Sequence, residues 1–240
     1  MWQKNRGILL KAIRHNDKSV VANLFTENRG MVPYIFYLNQ SRQKTGLNTL
    51  LQPLTFIEFE DQNIPTANFG KLKEASNMYP YTHIPLNPIK TVLVLFIAEF
   101  LLYALRKETC NPPLFNYLLT SMRWLDNSTD FGNFHLVLIL GVSKFLGINP
   151  NCATYTENST LDLQSGCFSK NRPNRTNFLD PKLSYLLVQL TNKDFDSMGQ
   201  VSMNRAERNS LVCALNDYFR VHVPNFPILK SIEILQTVLD

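Results

Sequence analysis

Between residues 91 and 105 every side chain except Thr91 and Glu99 is apolar, and a run of that kind leaves a chain few ways to fold. Pro88 suits a first helical turn, where an N–H is not needed, and Arg106 and Lys107 put positive charge at the C-terminal end of the dipole. A bilayer span needs about 20 apolar residues without a charge near the middle. This run is shorter and carries Glu99 near its centre, so it predicts a buried helix and not a membrane segment. A helix apolar on nearly every face needs cover, which predicts a central position in a helical domain.

The chain after this run supplies helices. Asn111-Pro112-Pro113 opens one that reaches about residue 125, with Leu114, Tyr117, Leu118, Ser121 and Trp124 on or near one face. Residues 131–146 predict a third, with Phe134, Val137, Leu138 and Val142 inward and Gly147 at the C-cap. Residues 151–177 are poor in apolar side chains and rich in Asn, Ser and Thr, which predicts an excursion with little regular structure. Shorter helices are expected at 181–191 and 228–239. A long one is expected at 204–221, where Asn204 and Glu207 form a capping pair.

Before residue 80 the apolar period is closer to two than to 3.6, and runs at 8–14, 18–26, 31–38, 53–60 and 69–76 fit strands. Asn28-Arg29-Gly30 is a turn signal, and Leu47, Leu50 and Leu51 imply one helical turn between the third and fourth runs. Five strands with that helical insertion predict a Greek-key barrel of the OB type, although an SH3-like barrel or small sandwich fits the same period. Pro80, Pro85 and Pro88 end the strand pattern. The expected organisation is a two-domain α+β chain: an OB-fold barrel at 1–80, a Pro-rich linker at 81–88 and a helical domain at 89–240.

Charge is unevenly spread along this frame. Residues 1–82 hold ten Lys or Arg against six Asp or Glu, and the first fifty hold eight against two. A polyanion is the natural partner of such a surface. Arg14 and Lys18 flank the first turn, Arg29 lies in the second, and Arg42 and Lys44 fall in the loop after the third strand, as a rim that would track phosphates. Tyr34 and Tyr37 would supply rings for stacking bases, while Phe36 belongs to the core.

Catalytic signals are missing. The sequence contains no phosphate-cradling glycine loop, nucleophile elbow or His-Glu-x-x-His, and its four histidines are far apart. Glu99 would need a second converging group to act as an acid or base, so a structural partner such as Arg123 or Lys144 is the expectation. Cys110, Cys152, Cys167 and Cys213 form no Cys-x-x-Cys pair, which speaks for reduced thiols and against a metal or cofactor. Without a signal-peptide core at the N-terminus, a cytoplasmic location is expected.

Residues 7–11, 20–26 and Gly30, Leu51-Gln52-Pro53, 161–168, 205–208, 218–227 and Lys230-Ser231 together resemble the RecO family of bacterial DNA-repair proteins, in the version found in Bacteroides-type bacteria. The similarity runs over essentially the whole chain. It implies an N-terminal OB fold, a helical C-terminal domain, binding to single- and double-stranded DNA, and annealing of complementary strands. It also implies partnership with RecR and single-strand-binding protein, RecA loading through them, nucleoid association and no enzymatic activity. Many relatives carry a four-cysteine zinc site corresponding to about 151–168, where this sequence keeps only Cys152 and Cys167. A protein-interaction scaffold with an OB-like barrel and no nucleic-acid role is the competing reading.

Overall fold

Alternating side chains close the N-terminal strands into a barrel. The computed structural model describes residues 2–37, 47–62, 69–171 and 177–238. Its first strands are β1 (Trp2–Asn16), β2 (Ser19–Thr26), β3 (Gly30–Tyr37), β4 (Phe56–Gln62) and β5 (Gly70–Asn77), with the single turn α1 (Leu47–Leu50) between β3 and β4. They close in the order β1-β2-β3-β5-β4. All neighbours are antiparallel except β3 and β5, which run parallel through Tyr34↔Gly70 and Ile35↔Lys71. This is the OB topology, and it decides against the SH3-like barrel and the sandwich.

The long first strand makes closure possible. Its N-terminal part pairs with β4, its C-terminal part pairs with β2, and two register shifts, at Leu9/Lys11 and Arg14/Asn16, let it bend between them. Leu9, Val20, Ala22, Leu24, Tyr34, Phe36, Ile57 and Phe59 fill the interior. Burying each large apolar side chain contributes about 1.5–3 kcal/mol. Gly70 is required where β5 meets β3, because a Cβ there would stand 2.4 Å from the Tyr34 ring.

Helix α2 (Pro88–Ala104) begins at Asn87, whose side-chain oxygen accepts from the backbone N–H groups of Ile89 (3.0 Å) and Lys90 (3.2 Å). The sequence predicted a helix sheathed by other helices. Instead α2 packs along β1 and belongs to the same compact unit as the barrel, residues 1–123, with Leu95 left exposed. The proline-rich segment before it is also anchored: the Tyr81 hydroxyl donates to the Leu54 carbonyl at 2.7 Å, and Ile84 is buried.

The second unit, residues 124–240, begins within α3 (Pro112–Asn127). It contains α4 (Phe134–Phe145), α5 (Pro181–Thr191), α6 (Arg205–His222) and α7 (Ser231–Val238). Helices α4, α5 and α6 pack on one another around Leu136, Leu138, Leu187, Leu190, Leu211 and Leu215. The predicted capping pair forms: Asn204 accepts from the Glu207 N–H (2.9 Å) and Glu207 accepts from the Asn204 N–H (2.8 Å). The expectation for 151–177 is corrected. β6 (Thr160–Asp162) pairs with both β7 (Phe168–Ser169) and β8 (Phe178–Leu179), so the segment carries a small antiparallel sheet around buried Leu161 and Phe168. Strands of two or three residues are too short for alternation to reveal.

Glu99 is half-buried on α2. Of the two cations considered for it, Arg123 lies over the Tyr79 ring at 5.0 Å and the Lys144 ammonium donates to the Thr191 carbonyl at 2.8 Å.

Candidate nucleic-acid interface

Which cations remain at the surface of the barrel is decided by what its carboxylates hold. Asp61, near the end of β4, is buried, and its Oδ2 accepts from the Tyr34 hydroxyl (2.7 Å), the Arg29 guanidinium (2.9 Å) and the Asn5 amide (3.4 Å). Three donors around one oxygen satisfy a buried charge that would otherwise be very costly. The Tyr34 hydroxyl is held protonated far above its ordinary range, first by burial and then by its hydrogen bond to Asp61.

One expectation changes as a result. Tyr34 is 0% exposed, so its ring offers no face to a base. Arg29 is paired with Asp61 at 2.9 Å, and 29% of its side chain stays exposed. The sequence could not show this, because Arg29 and Asp61 are 32 residues apart and meet only when the barrel closes.

Two more ion pairs draw on the same pool. Arg6 is gripped by Glu27 through two of its guanidinium nitrogens, Nε and Nη2, and lies over the Phe115 ring at 5.4 Å; the carboxylate holds its pKa above the ordinary guanidinium value. Lys73 pairs with Glu60 at 3.0 Å and covers the Trp2 ring at 4.7 Å. Among the described residues of the barrel, Lys4, Lys11, Arg14, Lys18 and Lys71 are exposed.

Arg14 and Lys18 belong to the β1–β2 hairpin, where residues 13–18 are all exposed. Asn16 shapes its tip, accepting from the Lys18 N–H (2.8 Å) and the Ser19 hydroxyl (2.9 Å). Ser19 is paired with Tyr37 at the end of β3, and Asn16, Asp17, Lys18, Ser19 and Tyr37 line a cleft of about 440 Å³. Tyr37 is 52% exposed. The structure thus brings Lys18 and Tyr37 together, with Arg14 on the same hairpin. Arg42 and Lys44 lie outside the described residues.

The sequence reading missed several neighbours of this cleft. Ile13 is exposed on β1, in register with Val21, Ile35 and Lys71 on the adjoining strands, which makes an outward apolar row ending in a cation. His15 and Phe69 approach at 6.4 Å between ring centroids. Strict alternation along β1 and β3 is the signal that could have found Ile13 and Ile35, but the His15–Phe69 pair has no local signal.

Cys152 and Cys167 are half-buried and adjacent through the Asn151↔Cys167 bridge. The nearby His222 ring contacts the Leu163 carbonyl at 2.9 Å and the Tyr218 ring at 4.1 Å. Among the described residues no group of three or more His, Cys, Asp or Glu is arranged to hold a metal ion. Two thiols do not make a tetrahedral zinc site. Among these residues, too, no helix is long and apolar enough to cross a membrane.

These features define a protein built from an OB barrel with a cationic hairpin and a following helical unit. Profiles described as Recombination protein O N terminal and Recombination protein O C terminal match residues 1–81 and 85–231. The chain is 39% identical over 241 residues to the DNA repair protein RecO of Phocaeicola vulgatus and 38% identical over 242 residues to that of Bacteroides fragilis, covering all of each chain. With the RecO of Porphyromonas gingivalis it shares 30% identity over 98% of both chains. The chain belongs to the RecO family.

Proposed function

We propose that this protein acts in DNA repair as a recombination mediator: it binds DNA, anneals complementary single strands, and assists RecA loading through RecR and single-strand-binding protein, without making or breaking covalent bonds. The observation that carries the DNA-binding part is the β1–β2 hairpin, where Arg14 and Lys18 stay exposed, Lys18 beside Tyr37, while Arg6, Arg29 and Lys73 are held by carboxylates. Family membership supports the repair role, and the partners follow from the resemblance.

Annealing is opposed by repulsion between two polyanions, so a surface that neutralises phosphates while leaving base edges free accelerates it. Replacing Arg14 and Lys18 by Ala should weaken binding to all sequences alike. The dependence of log affinity on log salt should flatten by about 0.7 for each single-strand phosphate that is no longer neutralised. The Arg42→Ala, Lys44→Ala pair tests the rest of the rim in the same way. Fluorescence titration of single-stranded DNA at several salt concentrations, with an annealing assay at low salt, makes the measurement. An unchanged slope in both variants places the DNA site elsewhere, and no acceleration of annealing by the wild-type protein favours the scaffold.

A further inference from the structure

We propose that the hairpin end of the barrel is a base-stacking track for single-stranded DNA with two aromatic stations, Tyr37 beside Lys18 and Phe69 beside His15, a reading that rests on the DNA-binding role above. The two stations are linked through β1. His15, whose ring meets that of Phe69, is followed directly by Asn16, which lines the cleft with Tyr37 and Lys18. Both aromatic residues have solvent-facing surface, Tyr37 at 52% and Phe69 at 36% exposure, whereas Tyr34 and Phe59 are packed edge to face inside the barrel at 5.2 Å. The molecule therefore separates its rings into interior ones that fill the core and surface ones, Tyr37 beside Lys18 and Phe69 beside His15.

Large rings in water, with Lys18 beside Tyr37, match the chemistry of unstacked bases on a phosphate backbone. Paired bases inside a duplex cannot lay a face on Tyr37 or Phe69, so these stations discriminate in favour of single strands. Asp17, in the same cleft, repels phosphate and directs the backbone toward Lys18 and Arg14. Stacking also suits annealing. A base lying flat on a ring keeps its Watson–Crick edge open to the complementary strand, whereas a pocket that hydrogen-bonds the edge would block pairing.

The test uses the full chain with a fluorescein-labelled oligothymidylate and an abasic oligomer of the same length, titrated at several salt concentrations. The wild type should bind oligothymidylate more tightly than the abasic strand by about tenfold for each station engaged. The Tyr37→Ala, Phe69→Ala double variant should lose most of that ratio while its salt slope stays unchanged, and Tyr37→Phe should keep the Tyr37 share. Unfolding midpoints close to wild type show that the exposed substitutions leave the fold intact. Equal binding of the two probes by the wild type, or an undiminished ratio in the double variant, overturns the stacking track while salt-dependent binding upholds DNA binding. Absence of salt-dependent binding to either probe overturns both.

Discussion

The two units handle charge in opposite ways. The first, residues 1–123, contains fourteen Lys or Arg against eight Asp or Glu, a net +6; the second has ten against eleven, a net −1. Within the barrel a buried carboxylate, Asp61, stays tolerable because Arg29, Tyr34 and Asn5 converge on it. In the helical unit one buried titratable group is His135 on α4, 0% exposed, whose pKa is pushed down to about 3, first by burial and then by the charge of Arg208. At Asp61 a charge is buried by surrounding it with donors; at His135 an imidazole is buried by keeping it neutral. In the barrel, ion pairing also sorts the cations, leaving Arg14 and Lys18 exposed on the hairpin and Arg29 paired with Asp61.

The contrast breaks most sharply at Asp61. Asp61→Ala would leave Arg29 and the Tyr34 hydroxyl without their shared acceptor, and removing one partner of a buried pair costs about 3–5 kcal/mol. Denaturant unfolding measures this, with Asp61→Asn, which keeps a carbonyl oxygen, losing less. A loss below about 1 kcal/mol for Asp61→Ala would mean that the network contributes no more than an exposed ion pair.

The helical unit should respond to pH. The folded pKa of His135 lies below the unfolded value of about 6.5, so the stability gained by burying the neutral ring is fully present above that value. It is lost as pH falls from about 6.5 toward 3, by up to about 1.4 kcal/mol per pH unit. Between pH 7 and pH 5 this contributes a loss of about 2 kcal/mol. Urea midpoints for wild type and His135→Leu at the two pH values check it: the variant should show correspondingly less acid sensitivity, and identical sensitivity would refute the assignment.

The smallest expected effect is from chelation. With only Cys152 and Cys167 in the region of the implied zinc site, washing with a chelator should leave the unfolding midpoint of the second unit unchanged. Stoichiometric zinc in the purified protein, with a large stability loss on its removal, would reverse that reading.

Much of the architecture was legible because it rests on local rules. Period-two patterning marked the five strands, Gly30 at φ +68° and the Asn204–Glu207 capping box occupy the positions that turn and cap chemistry predict, and the 91–105 run became α2. The basic hairpin was visible too, since Arg14 and Lys18 flank a polar tip between two strand patterns. The short sheet β6–β8 was not legible, because two- and three-residue strands carry no period.

By itself, then, the sequence determined that strands precede helices, where they start and stop, and that positive charge gathers in the first fifty residues, because these depend on neighbours within a few positions. Only the tertiary structure decided which charges and rings face water. Tyr34 and Tyr37 are three residues apart on β3, yet one closes on Asp61 inside the barrel and the other stands beside Lys18. Arg29 and Lys18 look alike in sequence, but barrel closure brings a buried carboxylate to the first and leaves the second at the hairpin tip. Pairing and burial depend on contacts between residues far apart in the chain, and that information exists only once the strands have closed.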